Sequence, residues 1–215
     1  MSRMAVTVWN YKGGVGKSTI SLVLTEIGLQ RGLSVSAVDL DGQLNLSDAL
    51  GFVAPQFPKL TIKHKLPPVA EQLDADLYII DTRPEMSVEV RAAVSFCDML
   101  LVPTMGDFFS AANVGTVWQY AEELGLHRMQ IAMVKNAFEN TQTTREIEEA
   151  LHQQGYPLAG RLPRNANLVR NIASGRPWNS NMDQRQQAPF LDLYERIWKA
   201  YERMKSGDFK KTWDR

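Results

Sequence analysis

Eight consecutive residues, Lys12-Gly13-Gly14-Val15-Gly16-Lys17-Ser18-Thr19, have the types and spacing needed to hold a chain of phosphates. Glycines let successive backbone N–H groups converge on one concavity, the helix that follows adds partial positive charge, and an ammonium and a hydroxyl complete the cradle. In such a cradle Lys17 reaches the β/γ-phosphates and Ser18 holds Mg²⁺. Two carboxylates, Asp39 and Asp41, stand two residues apart in Val38-Asp39-Leu40-Asp41-Gly42-Gln43, so in an extended segment they face one side. A cleft that holds Mg²⁺ and a triphosphate has use for both. A third acid, Asp81, ends the apolar run Leu77-Tyr78-Ile79-Ile80. That is the form in which a buried strand delivers one carboxylate to a metal-water shell.

These groups need a scaffold that brings three strand ends together. Short apolar runs at Ala5–Trp9, Val35–Leu40, Leu77–Asp81, Met99–Pro103 and Gln130–Val134 read as strands. Helical patterns alternate with them at Ser18–Arg31, Ser87–Phe96, Ala111–Gly125, Thr143–Gly155, Asn167–Ser174 and Pro189–Ser206. Gly32, Gly125, Gly155 and Gly175 stand where a helix-terminating glycine is expected. Gly51–Pro68 reads as a loop with a short extended piece at Leu60–Ile62, and residues 179–188 as a polar loop before the last helix. The strands are apolar throughout and not alternating, which suits a doubly wound α/β fold: a mostly parallel sheet with helices on both faces. In such a sheet ligands bind beyond the carboxyl ends of the strands, where all three motifs fall.

Length and composition set the bounds. A chain of 215 residues with 44% hydrophobic and 22% charged residues is expected to form one domain spanning 1–215. Cys97 is the only cysteine, which excludes an internal disulfide framework and metal sites built on paired thiolates. No signal-peptide pattern opens the sequence and no stretch is long enough to span a bilayer, so the cytoplasm is the expected location. The formal net charge of zero hides an asymmetry: residues 1–160 hold 12 Lys/Arg against 18 Asp/Glu, and residues 161–215 hold 12 against 6. A solvated helix face and a polyanion-binding surface both account for the basic C-terminal segment at about 165–215.

The general P-loop pattern expects a glycine five residues before Gly16, where this chain has Tyr11, and it has no use for the extra lysine at position 12. The double-lysine run resembles the deviant Walker A box of the ParA/MinD family of P-loop ATPases. Asp39–Gln43 resembles that family's D-x-D-P-Q switch I, with Gly42 in the proline position. Asp81-Thr82-Arg83-Pro84 resembles its Walker B segment, D-x-P-P; Arg83 is either a substituted loop residue or a charge aimed at phosphate or a neighbour. The resemblance implies that Lys12 crosses a dimer interface to the partner's nucleotide. It implies further that Lys17 neutralises the transferring phosphoryl group, that Asp41 orients the attacking water, and that Ser18, Asp39 and Asp81 serve the Mg²⁺ site. It places Asn136, Pro163 and Arg164 against the adenine ring, and no Asn-Lys-x-Asp guanine signature occurs, so ATP is expected over GTP.

Within the family the iron–sulfur branches need cysteine ligands that Cys97 alone does not supply. The stripe Phe190, Leu193, Tyr194, Ile197, Trp198, Tyr201 and Met204 reads as a helix docked on a core. The basic C-terminal segment fits the partition members, which dimerise on ATP and bind DNA without sequence preference. Candidate DNA contacts are Arg161, Arg170, Arg176, Arg196, Lys199, Arg203, Lys205, Lys210 and Lys211. The reading is a ParA-like ATPase, nucleoid-associated, that positions a plasmid, chromosome or protein cargo and whose turnover a ParB-like adaptor protein stimulates. The alternatives are a MinD-like membrane-cycling ATPase, for which the tail Phe209–Trp213 is a candidate lipid contact, and a phosphoryl-transfer enzyme acting on a small molecule.

Overall fold

The computed structural model describes residues 3–67, 74–105, 108–139, 141–209 and 213. Seven strands form one sheet: β1 (Met4–Val8), β2 (Val35–Asp39), β3 (Leu60–Lys63), β4 (Leu77–Asp81), β5 (Met99–Thr104), β6 (Ile131–Phe138) and β7 (Leu158–Pro163). Their order is β3-β2-β4-β1-β5-β6-β7, and every neighbouring pair is parallel. The chain builds outward from β1 in both directions, so the crevice beside the end of β1 is the topological switch point. The glycine run leaves the sheet there.

Alternate residues of each buried strand feed two core layers. Met4, Val6 and Val8 pack with Ile20, Val23, Leu24 and Ile27 of α1 (Lys17–Gln30) and with Phe190, Leu193, Tyr194, Ile197, Ala200 and Tyr201 of α7 (Gln184–Lys205). Ala5 and Trp9 point the other way. They meet Val90, Ala93 and Val94 of α3 (Val88–Phe96) and Val114, Val117, Trp118 and Ala121 of α4 (Phe108–Glu123). Cys97 is buried in that second layer with its thiol donating to Val94 O, and burial pushes its pKa up to about 12, so it packs as a small hydrophobe. The helices α5 (Gln142–Gln153) and α6 (Ala166–Ala173) complete the two faces. All four glycines expected to end helices have positive φ.

Three segments differ from the sequence expectation, one of them the edge strand β7, which forms at Leu158–Pro163 where the sequence predicts no strand. The stretch read as loop from Gly51 contains the end of a further helix, α2 (Asn45–Val53), whose Leu46, Leu50 and Val53 are buried against Leu22 and Ala37. Its amino end lacks a local side-chain cap, because the cap comes from Asp39. The polar loop expected over 179–188 ends early: α7 starts at Gln184, under a box in which Asp183 Oδ1 accepts from Gln186 N and Gln186 Oε1 accepts from Asp183 N. Pro189 therefore lies inside the helix and does not begin it, at the cost of one backbone hydrogen bond.

The six buried α7 side chains commit on the order of 10 kcal/mol of apolar burial to the core. Beyond α7, Trp213 is 8% exposed and its indole donates to Met129 O at 2.8 Å, and the Phe209 ring lies tilted against His127. These are protein contacts where lipid contact had been the alternative. Lys210 and Lys211, two of the candidate DNA residues, lie outside the described residues.

Candidate nucleotide site

The glycine run holds its shape through one buried side chain. Asn10 follows β1, and its Nδ2 donates to Pro103 O on β5 at 2.7 Å while its Oδ1 accepts from Lys12 N at 3.0 Å. An asparagine that closes its own backbone two residues on is a turn signal, and sequence reading passed over it here. Gly14 and Gly16 then take φ of 75° and 91°, and α1 starts at Lys17 with no side chain capping its first turn. The uncapped N–H groups and the helix dipole together make an anion site.

Lys17 is buried, and its Nζ donates to Lys12 O at 3.2 Å and to Asn10 O at 3.4 Å. These are long contacts to the loop's own carbonyls. Burial lowers the ammonium's pKa, opposed by the nearby Asp81, Asp41 and Glu85. Asp81, at the end of β4, is fully buried beside it. Burial raises its carboxyl to about 7, and the charge of Asp39 adds to the rise, against hydrogen bonds from Ser18 and Ser21. Ser21 Oγ donates to Asp81 Oδ1 at 3.0 Å, whereas Asp81 Oδ2 has no hydrogen-bond partner among the described residues.

Asp39 and Asp41 part company. Asp39 Oδ1 accepts from Asp41 N at 3.1 Å, and its Oδ2 accepts from both Ser47 N and Ser47 Oγ at 2.9 Å. Its carboxylate is thereby spent on fixing the turn and on capping α2 from eight residues away. Asp41 lines the cleft, one oxygen accepting from Gln43 N at 3.0 Å. Arg83 reaches a neighbour: its Nε meets Leu40 O at 3.4 Å, which ties the end of β4 to the Asp41 loop.

Two lobes meet at Gly14, Gly16 and Thr19. One, of about 570 Å³, is lined by Gly13, Lys17, Ser18, Asp41, Gln43, Asn45, Pro84 and Glu85. The other, of about 580 Å³, is lined by Asn136, Ala137, Glu139, Thr141, Thr144, Pro163, Arg164 and Asn165. The structure thus brings Gly13, Gly14, Gly16, Lys17, Ser18, Thr19 and Asp41 to one trough with Asn136, Pro163 and Arg164, whereas Lys12, Val15, Asp39 and Asp81 are not among the residues that line it. Asn136 Nδ2 donates to Val15 O at 2.9 Å, so this residue also buttresses the glycine loop. Glu139 and Arg164 pair across the mouth at 3.7 Å. Asn165 caps α6, accepting from Asn167 N and Leu168 N.

The donors suit a hard cation: a serine hydroxyl and a buried carboxylate with one oxygen unpartnered. Among the described residues no group of three or more His, Cys, Asp or Glu forms a metal cage. A Mg²⁺ held here would need phosphate oxygens to complete its shell, which is how nucleotide-dependent sites bind it.

Among structures of known proteins, the chain resembles a plasmid partition protein from Borrelia burgdorferi with TM-score 0.70 and 15% identity, covering 93% of this chain and 99% of that one. It resembles the septum site-determining protein MinD from Pyrococcus horikoshii, complexed with Mg-ADP, with TM-score 0.75 and 20% identity over 92% and 96%. The ATP complex of a McdA variant from Cyanothece aligns with TM-score 0.72 and 15% identity over 91% and 96%. No curated protein sequence matches the chain. At these identities the neighbours establish the fold. A family model matches residues 6–178, from within β1 to just past α6, and the chain accordingly belongs to the CobQ/CobB/MinD/ParA nucleotide-binding domain family.

Proposed function

We propose that this protein is a ParA-like ATPase that binds Mg-ATP, dimerises on it, binds DNA without sequence preference and positions or segregates a cargo, with hydrolysis resetting the dimer. The observation that carries the reading is the convergence on one trough of Lys17, Ser18 and Asp41, with Asp81 buried beside Lys17, after a loop that opens with a second lysine, Lys12. Mg-ATP supplies the scissile phosphoanhydride and the charge that the site must balance. Lys17 exchanges its two long carbonyl contacts for phosphate oxygens and stabilises charge building on the transferring group. Ser18 and the unpartnered oxygen of Asp81 hold the metal side. Asp41 orients the attacking water, and Asp39 acts by holding the loop that presents Asp41. Asn136 offers an amide to the adenine edge, with Pro163 and Arg164 flanking the ring.

Lys12 gives the dimer its dependence on ATP, since a ligand shifts an association equilibrium only through contacts made in one state. Among the DNA candidates, Arg170 on α6, Arg176 after it, and Lys199 and Lys205 on α7 are exposed. Arg161 and Arg196 are engaged elsewhere, with Glu148 and with the carbonyls of Leu158 and Trp213. An adaptor protein of the ParB type stimulates turnover. The test is co-sedimentation of the Asp41→Ala protein with plain duplex DNA and with anionic vesicles, each with and without Mg-ATP. ATP-dependent, salt-sensitive DNA binding is expected. Binding to vesicles alone, or a monomer at saturating Mg-ATP, defeats the proposal.

A further inference from the structure

Behind the base lobe lies a charge cluster around one buried lysine that no motif announced. Lys135 on β6 is 7% exposed, and its Nζ donates to Glu148 Oε2 at 2.7 Å and to Thr144 O at 3.1 Å. Arg161 on β7 pairs with the other oxygen of Glu148. Burial of Glu148 opposes its charge, and the hydrogen bonds from Arg161 and Lys135 outweigh it, keeping the carboxyl below the usual range.

Each partner of Glu148 leads into the cleft. Lys135 immediately precedes Asn136, and Arg161 stands two residues before Pro163. Thr144, whose carbonyl Lys135 holds, donates through Oγ1 to Glu139 O at 2.6 Å and so fastens the end of β6 to the start of α5. Asn136 and Glu139 at the end of β6, and Pro163, Arg164 and Asn165 at the end of the neighbouring β7, line the base lobe from the sheet, while Thr141 and Thr144 line it from the start of α5. One carboxylate on α5 therefore ties the α5 lining to both strand ends. The network reaches the phosphate lobe through Asn136, whose Nδ2 donates to Val15 O.

We propose that Glu148 is a positioning residue for base recognition, fixing the start of α5 against the Asn136 and Pro163 strand ends while touching no nucleotide itself. This rests on the nucleotide-site reading above. Neutralising Glu148 strands the buried Lys135, while the exposed Arg161 can turn to solvent. The start of α5 shifts against the strand ends, and the base loses more of its fit than the phosphates, which the glycine loop and the start of α1 still hold.

The experiment is calorimetric titration of wild type, Glu148→Gln and Glu148→Asp with Mg-ATP and, separately, with magnesium tripolyphosphate, which has no base. Glu148→Gln is expected to weaken ATP about tenfold or more and tripolyphosphate less than about twofold, with Glu148→Asp recovering part of the loss. Equal weakening of both ligands, or of neither, overturns the proposal. If Glu148→Gln does not fold, the double variant Lys135→Met with Glu148→Leu removes the pair without stranding Lys135; it must still lose ATP selectively, and undiminished ATP affinity there overturns the proposal. A wild type that binds neither ligand overturns the underlying nucleotide site instead, so the two failures are distinguishable.

Discussion

Replacing Gly16 by alanine tests how the loop is built, because two separate costs fall on one atom. The backbone there has φ of 91°, where a Cβ costs about 1–2 kcal/mol. The added Cβ would also stand 2.0 Å from Asn136 Nδ2 and 3.1 Å from its Cγ, so Asn136 must leave and give up its bond to Val15 O. That bond is worth about 1 kcal/mol. Gly16→Ala should therefore cost about 2–3 kcal/mol in all, while Asn136→Ala alone should cost about 1 kcal/mol. In the double variant the collision is gone and the lost bond is counted once. The two effects should then fall short of additivity by about 1 kcal/mol. Gly14→Ala is the internal control: φ is 75° and nothing lies within 4 Å of the new atom, so only the backbone cost of about 1–2 kcal/mol applies. Urea unfolding of the nucleotide-free proteins reads all four values, and Mg-ATP calorimetry reads their effect on binding. Additivity to within about 0.3 kcal/mol, or a Gly14→Ala protein as destabilised as Gly16→Ala, would show that Asn136 is no buttress.

Other substitutions separate the roles assigned around the trough. Lys17→Ala should abolish Mg-ATP binding in calorimetry, whereas Asp41→Ala should keep binding, stop phosphate release and trap the dimer in sedimentation. Asp39→Asn should lower turnover without changing the Mg²⁺ requirement; a rise of tenfold or more in the Mg²⁺ needed, the effect expected of a group oriented on the metal shell, would return Asp39 to that shell. Glu26 on α1 is fully buried, and burial lifts its carboxyl to about 7 against the hydrogen bond from Trp178 N. A carboxyl raised in the fold is bound to its proton while the unfolded chain ionises, so stability is lost as pH climbs from about 4.5 to about 7 and is level above. Glu26→Gln should remove that slope, worth up to roughly 3 kcal/mol, and a melting-temperature gap to wild type that stays constant from pH 5 to pH 8 would contradict it.

The parts of this molecule that sequence reading reached are those whose causes are local. Glycines, lysines and a serine in fixed order make a phosphate loop wherever a strand precedes and a helix follows them, and β1 and α1 stand as expected. Five apolar runs became strands because burial on both faces leaves no alternation to misread. Helix α2 was missed since its cap arrives from Asp39 and not from the residue before it, Leu44, which has a φ of 54°. The start of α7 was misplaced because Pro189 imitates a first-turn proline while the true cap is Asp183. Glu148, Arg83 and Ser21 act on partners from 13 to 60 residues away, and no spacing rule names such pairs.

The same distinction bears on the three acids. By residue type and strand-end position Asp39 and Asp81 are equivalent, each closing a strand and paired in register with the other. What separates them is how many donors the fold has already supplied. Asp39 receives three hydrogen bonds, two of them from Ser47, and so retains little reason to seek a cation. Asp81 keeps an oxygen without a partner in a fully buried place, where an unsatisfied acceptor costs about 1–3 kcal/mol. That oxygen lies close to Lys17, and under the proposed nucleotide reading it is the one a metal carried on a phosphate chain would take.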